Sequence, residues 1–395
     1  MNTLTRRRWI AGVLVLAVVA LAAWFFRPGK PAPPQAGVSA PIANAPVPAS
    51  MPSAAASVPT SASVATDPQA LARERRDRLW CELESRPRPS ASAPDGEAAS
   101  TPESPADQLM AEAREDLVQR WSAQLMARGD ERSRAMALRL QALGTGPVPG
   151  DSQARRQLIA LASTTASPEV FVWAHQSCFG DRACEAQLPA RQLLRLAPGN
   201  RYAMDLVFNE AARDGDVQGQ REALYQAGIA PYSDDYNAAA IRMLGSLPVR
   251  DEGPESTVVT MLYVRIGFGN LPNFSPTTRY CSKADSGDQA DRRALCAKAA
   301  QTRASQAQSL LDLGLARALA RSAGDAKLAT SLTKEFDGLQ KGLMDSSESM
   351  MEVLVRGDAC AAGGILRKRQ YEVMTQGEVA FVRARMAAAA SAAAR

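Results

Sequence analysis

Residues Trp9 to Phe26 read WIAGVLVLAVVALAAWFF, eighteen positions without a charge, and this stretch decides the solvent in which the rest of the chain folds. As a helix rising about 1.5 Å per residue it spans about 27 Å, the short end of what a hydrocarbon core of about 30 Å requires. Trp9 stands at one end and Trp24, Phe25 and Phe26 at the other, where aromatic rings suit the headgroup boundary. Arg6, Arg7 and Arg8 precede the segment; Arg27 and Lys30 follow it. That small excess favours a cytoplasmic N terminus. The expectation is a cytoplasmic stub over residues 1–8, one transmembrane helix over 9–26 in a bacterial inner membrane, and the bulk of the chain in the periplasm.

Two other readings of the same residues stay open. Ala20-Leu21-Ala22 fits the A-x-A cleavage site of a secretory signal, although cleavage there leaves Trp24, Phe25 and Phe26 on a free end. Thr5-Arg6-Arg7-Arg8-Trp9-Ile10 resembles the S/T-R-R-x-F-L signal of twin-arginine export.

The formal charge of +5 belongs to this leader alone. No acidic residue occurs before Asp67 and five of the 46 basic ones do, so 41 basic face 41 acidic residues beyond it. An exported part with no net charge gives no footprint for nucleic acid. All six cysteines lie beyond the leader. An even number in an oxidising compartment implies a disulfide framework, whose connectivity the sequence does not fix. Short intervening loops make Cys178–Cys184 and Cys281–Cys296 the natural local pairs, leaving Cys81–Cys360 as a long-range staple. Six buried thiols are the alternative. His175, three residues before Cys178, is the one histidine of the chain and there is no C-x-x-C, so zinc has little to bind.

Residues 27–66 are rich in Ala, Pro, Ser and Val, a composition that cannot bury a core and favours extended polyproline II spacing. Helical signals begin at Asp67-Pro68 and run to about Ser85. A polar, disordered linker is expected over 86–103, then Ser104-Pro105-Ala106-Asp107 as a capped helix start. Leu109, Ala113, Leu117, Trp121 and Leu125 recur at helical spacing and read as core. Further helices are expected around Met136 to Leu143, over Ser152–Ser163, Pro168–Cys178 and Asp234–Leu247, and from Asp325 to Leu343 and Ser349 to Gly357. Val258 to Phe268 fits a strand or a buried helix equally. A loop is expected over Gly269 to Asp285, then one long helix over Asp288–Ser322 with Cys296, Ala300, Ala304, Ala307, Leu311, Leu315 and Ala318 on one face. Gly363-Gly364 reads as a break, and the chain ends in an alanine-rich tail, 386–395.

From Pro198 to Asp216 the chain reads PGNRYAMDLVFNEAARDGD and resembles the tetratricopeptide repeat and related Sel1-like helical hairpins. Pro198 and Asn200 stand where that repeat turns between units; Ala203, Met204, Val207 and Ala211 fall at the inward-facing positions of its first helix. Gly215-Asp216 matches the turn, and Leu224 and Ala227 match apolar sites of the second helix. Phe208 replaces a usual glycine and Gln220 a usual alanine, which would loosen the contact between the two helices. The match covers one unit, about residues 198–231. The resemblance implies an α-hairpin and a protein-binding surface. The fold class expected is therefore all-α, a multi-helix, hairpin or solenoid-like domain over 67–385 behind one N-terminal membrane helix.

No residue reads as catalytic and no cofactor is implied. G-x-S-x-G, H-E-x-x-H and EF-hand patterns do not occur, and the run Gly144 to Gly150 lacks the lysine of a P-loop. Ser331-Leu332-Thr333-Lys334 fits S-x-x-K without the S-D-N and K-T-G that accompany it, and reads as a solvated helix face. His175 reads as a buried, satisfied imidazole, and Asp234 and Asp235 as helix caps. The function expected is protein–protein interaction in the cell envelope, with a hydrolase acting on peptidoglycan as the alternative.

Overall fold

A computed structural model of the chain describes residues 67–84, 104–144, 152–268, 274–282, 289–356 and 359–393. The expected membrane helix 9–26, the spacer 27–66 and the linker 86–103 lie outside the described residues. Among the described residues no helix is long and apolar enough to cross a membrane. They are all-α. In chain order the helices are α1 (Pro68–Glu84), α2 (Pro105–Ala127), α3 (Glu131–Gly144), α4 (Gln153–Thr164), α5 (Pro168–Ser177), α6 (Arg182–Glu185), α7 (Ala190–Leu196), α8 (Arg201–Asp214) and α9 (Val217–Ile229). There follow α10 (Asn237–Gly245), α11 (Pro254–Phe268), α12 (Ser275–Ser282), α13 (Gln289–Ser305), α14 (Leu310–Ser322), α15 (Ala326–Arg356), α16 (Ala359–Gln376) and α17 (Glu378–Ala393).

Most helices begin where a short polar side chain takes up an orphan amide at the first turn. Ser104 and Asp107 form a capping box on α2. Ser152, Ser167, Asn200 and Asp216 cap α4, α5, α8 and α9 in the same way. The ambiguous run Val258 to Phe268 is helical, with Val258, Val259, Leu262, Tyr263 and Ile266 buried.

Two apolar cores result. The first gathers Leu117, Trp121, Met136, Leu140, Phe171, Trp173, Ile241 and Tyr263; the second gathers Phe208, Leu224, Tyr280, Leu313, Leu319, Leu332 and Phe381. Trp121 and Trp173 are fully buried, and each indole N–H donates to a backbone carbonyl, of Pro248 at 3.0 Å and Tyr236 at 3.1 Å. A buried indole needs such a partner. Helix α8 feeds both cores: Tyr202, Ala203 and Leu206 enter the first, Phe208 the second, and Val207 packs on both.

Neighbours in sequence pack together, but the chain also closes on itself. Helix α16 packs against α1, α10 and α11, and α9 against α13. Stacked repeats touch only adjacent units, so these contacts are not those of a one-dimensional array.

Four expectations are corrected. The first is that the segments expected over Asp325–Leu343 and Ser349–Gly357 belong to one continuous helix, α15. The second concerns Asp288–Ser322, which is two helices with a break at residues 306–309. Ser309 caps α14 by accepting the amide of Asp312 at 3.1 Å. The break is also filled from the C terminus: the Leu310 amide donates to the Glu378 carboxylate at 2.8 Å, and the Val379 amide to the Gln308 carbonyl. On a continuous helix Arg303 and Asp312 would stand about 180° apart around the axis, at about 100° per residue. Across the break Arg303 Nη1 lies 3.0 Å from Asp312 Oδ1. Arg303 Nη2 also meets both oxygens of Asp205 at 2.6 Å. Arg201 closes the ring at 3.2 Å to Asp205 and 3.3 Å to Asp312. Two arginines and two aspartates thus join α8 to α13 and α14.

The third correction is that the expected loop 269–285 contains a helix, α12, whose Thr277, Tyr280 and Cys281 are buried. The fourth is that Gly363-Gly364 does not break α16. Both glycines are buried where α16 crosses the start of α11 and the loop before it. A Cβ on Gly363 would lie 2.5 Å from Ser256 Oγ, and one on Gly364 would collide with the backbone carbonyl of Asp251. The glycines permit a close crossing. The alanine-rich C terminus is helical to Ala393, seated by Val379, Phe381 and Val382 and exposed from Arg383 onward.

Gly364→Ala is expected to destabilise the chain by about 1–3 kcal/mol, because a backbone atom cannot step aside. Gly338→Ala, half-buried on α15 with nothing near its added Cβ, is expected to stabilise by about 0.5–1 kcal/mol. Urea unfolding of both variants tests the sign of each change.

Candidate functional site

The hairpin α8–α9 turns at Gly215, which is left-handed (φ +73), and at Asp216, whose carboxylate accepts the Gly219 amide at 2.8 Å. Ala203, Met204, Ala211, Leu224 and Ala227, which the resemblance places inward, are buried, and Val207 is half-buried. Phe208 does not open the hairpin: it turns into the second core, edge-on to Tyr280 with centroids 5.7 Å apart.

With its inner face occupied, α9 presents Val217, Arg221, Tyr225 and Ile229 on one outer stripe at every fourth residue. Tyr225 is 48% and Ile229 51% exposed. Beside them α13 forms the second wall of a groove of about 510 Å³. Leu224, Gly228 and Leu295 line its depth, and Arg221, Glu222, Tyr225, Asp291 and Lys298 its sides. Gly228 sets the spacing: an added Cβ would meet Lys298 Cγ at 3.2 Å and the Ala299 amide nitrogen at 3.5 Å. Thr302 Oγ1 donates to the Gly228 carbonyl at 2.5 Å and holds the two helices together there. Arg221 reaches Asp291 across the groove at 3.3 Å, an exposed pair of little energetic weight. A volume of this size with apolar depth and a few charges at its edge suits a side-chain cluster of another molecule.

The six cysteines stand as three pairs with Cα–Cα separations of 4.8 Å (Cys81–Cys360), 5.2 Å (Cys178–Cys184) and 5.9 Å (Cys281–Cys296), within the range a disulfide spans. The first ties α1 to α16, the second closes the turn between α5 and α6, and the third ties α12 to α13. His175 is buried between the rings of Phe171 and Phe179, at 6.0 and 5.5 Å. Among the described residues its Nδ1 meets no hydrogen-bond partner, so the ring is buried without the partner expected for it. Burial, and then the charge of Arg213, push its pKa down to about 4.

Asp234 and Asp235 precede α10 and accept the amides of Tyr236 and Asn237 at 2.7 and 3.0 Å. Between them and the helix Tyr236 adopts a left-handed φ of 58, uncommon for a residue with a side chain. Burial raises the Asp235 carboxyl to about 6, partly offset by the Asn237 amide. Ser331 and Lys334 both lie exposed on α15. Among the described residues no three of His, Cys, Asp or Glu converge closely enough to hold a metal ion.

The outward stripe Tyr225–Ile229 has a local signal, two large apolar residues on the side of the hairpin opposite its core. Its second wall has none, because Asp291 to Lys298 follow about seventy residues later in the chain. No protein-family model, curated protein or solved structure matches the chain.

His175 and Asp235 act on stability in opposite directions. His175 is ordinarily half-protonated near 6.5, so its contribution to stability is complete above that pH and lost as pH falls towards 4, up to on the order of 3 kcal/mol. Asp235 favours the fold fully below 3.8 and loses that contribution as pH rises through about 6. His175→Phe is therefore expected to lose less stability than the wild type on acidification from pH 6.5 to 4, and Asp235→Asn to lose more. Parallel urea midpoints against pH for all three proteins would contradict both assignments.

Proposed function

We propose that the chain is a single-span inner-membrane protein whose periplasmic helical domain binds another envelope protein. The bound element is an amphipathic helix laid along α9 and α13. The observation that carries this reading is the groove whose apolar depth is flanked by exposed Tyr225 and Ile229. Helix-in-groove recognition uses anchors at i, i+3 and i+4, and an aromatic and a branched aliphatic residue one turn apart supply their counterpart. The resemblance of residues 198–231 to a tetratricopeptide hairpin supports the same use. The apolar run Trp9–Phe26 supports the anchor, and three cysteine pairs at disulfide distance support an oxidising compartment.

The alternative is an envelope hydrolase acting on peptidoglycan. Such a site would gather acids in a pocket, with one of them freed from counter-charges. The groove instead sets Asp291 against Arg221 and interleaves both signs.

Crosslinking followed by affinity isolation from membranes separates the two. The wild-type chain is expected to recover a discrete partner, and Ile229→Glu at least tenfold less of it, as for loss of a buried anchor worth about 2 kcal/mol. Recovery unchanged by Ile229→Glu, or turnover of peptidoglycan fragments with no protein recovered, would overturn the reading. A periplasm-active reporter fused after Thr66 is expected to be active and a cytoplasm-active one silent; the reverse would overturn the compartment.

A further inference from the structure

A second cleft, of about 430 Å³, lies where the α2–α3 turn faces α10. Its chemistry differs from that of the groove. Arg128, Arg132 and Arg242 line it, with Ala239 and Met243 as its apolar part and Asp130 and Ser133 at the α3 end. The three guanidinium groups come from three places in the chain: the C-cap of α2, the first turn of α3 and the last turn of α10.

Each guanidinium carries five N–H donors. Arg128 donates one hydrogen bond, to Ser246 Oγ at 3.2 Å. Arg242 donates one long bond, to the Thr375 carbonyl at 3.4 Å. Arg132 has an ion pair with Glu169 at 3.4 Å, itself 47% exposed. The acids nearby make other bonds as well, but two of them keep a charge toward the arginines: Glu169 pairs with Arg132, and Asp234 lies within electrostatic reach of Arg242. Asp130 accepts the Ser133 amide at 2.9 Å, and Ser133 holds its carboxyl below the usual range. Glu169 accepts the Ser167 hydroxyl at 2.8 Å. Asp234 accepts the Tyr236 amide. Among the described residues these contacts use only part of each guanidinium's donors, so the cleft keeps forked donors beside an apolar patch, with the Asp130 carboxylate at its α3 end.

We propose that this cleft binds an acidic peptide segment of a partner protein, two of its carboxylates meeting Arg132 and Arg242 and its methylene groups resting on Ala239 and Met243. Planar guanidinium groups match carboxylates in a two-pronged geometry. A nucleic-acid backbone needs a longer basic track than a chain of 41 basic and 41 acidic residues beyond its leader provides. The site is independent of the α9–α13 groove and shares no residue with it.

The test uses the full-length chain in detergent micelles and a fluorescein-labelled peptide of alternating Glu and Ala, read by fluorescence anisotropy. Saturable binding is expected, at least tenfold weaker for the matching Gln-Ala peptide and at least tenfold weaker for the double variant Arg132→Gln/Arg242→Gln. Arg221→Ala, in the other groove, is expected to leave binding unchanged. The two replaced arginines are exposed, so the double variant should keep the wild-type thermal midpoint. Equal affinity for the two peptides, undiminished binding by the double variant, absence of saturable binding, or binding to anionic vesicles alone would each overturn the proposal.

Discussion

Arg201, Asp205, Arg303 and Asp312 form a closed ring of opposite charges, and the position of the hairpin depends on it. Arg201, Asp205 and Arg303 are buried, at 3%, 8% and 3% exposure. Each arginine touches both aspartates. Desolvating four charges costs as much as their attraction returns, so the ring contributes little net stability against an apolar replacement. Removing one member is different: it strands a buried charge at a cost of about 3–5 kcal/mol. Such an arrangement acts mainly on register. Only one placement of α8 against the break between α13 and α14 satisfies all four groups.

The break therefore organises more than the ring. Gln306 accepts from Arg201 Nε at 3.2 Å and donates to the Ala230 carbonyl at 2.6 Å. Gln308 donates to the Ser233 carbonyl at 3.0 Å. The residues after α9 are thus pinned to the residues between α13 and α14, while Gly228 and Thr302 fix the two helices farther along. The outer stripe of α9 is held beside α13 at a constant distance, which makes a groove of two helices that are distant in sequence. Because α8 also enters both cores, the hairpin cannot move without disturbing each.

Much of this was legible in the sequence where the signal is local. Asp67-Pro68 and Ser104-Pro105 marked the starts of α1 and α2, the Leu117-Trp121-Leu125 stripe marked a core face, and short loops favoured two of the three cysteine pairs. The failures share one cause. Nothing near residues 306–309 is a glycine or proline, so the apolar period ran through a position that tertiary contacts with Arg201 and Glu378 hold open. The pattern Ser309-Leu310-Leu311-Asp312 was the one local sign. Gly363-Gly364 looked like punctuation because glycine weakens an isolated helix; here it serves a crossing that only the folded chain creates. The groove and the arginine cleft were illegible for the same reason, since each takes its walls from segments far apart in the chain.

Hydrogen exchange followed by mass spectrometry on the native chain tests the central claim, that the ring clamps the hairpin to the C-terminal helices as one unit. In Asp205→Asn, which leaves two buried arginines with one counter-charge, exchange is expected to quicken together in Val217–Ile229 and Gln289–Ser305, although the substitution lies in neither. Faster exchange confined to Arg201–Asp214, or no change in either distant helix, would contradict it.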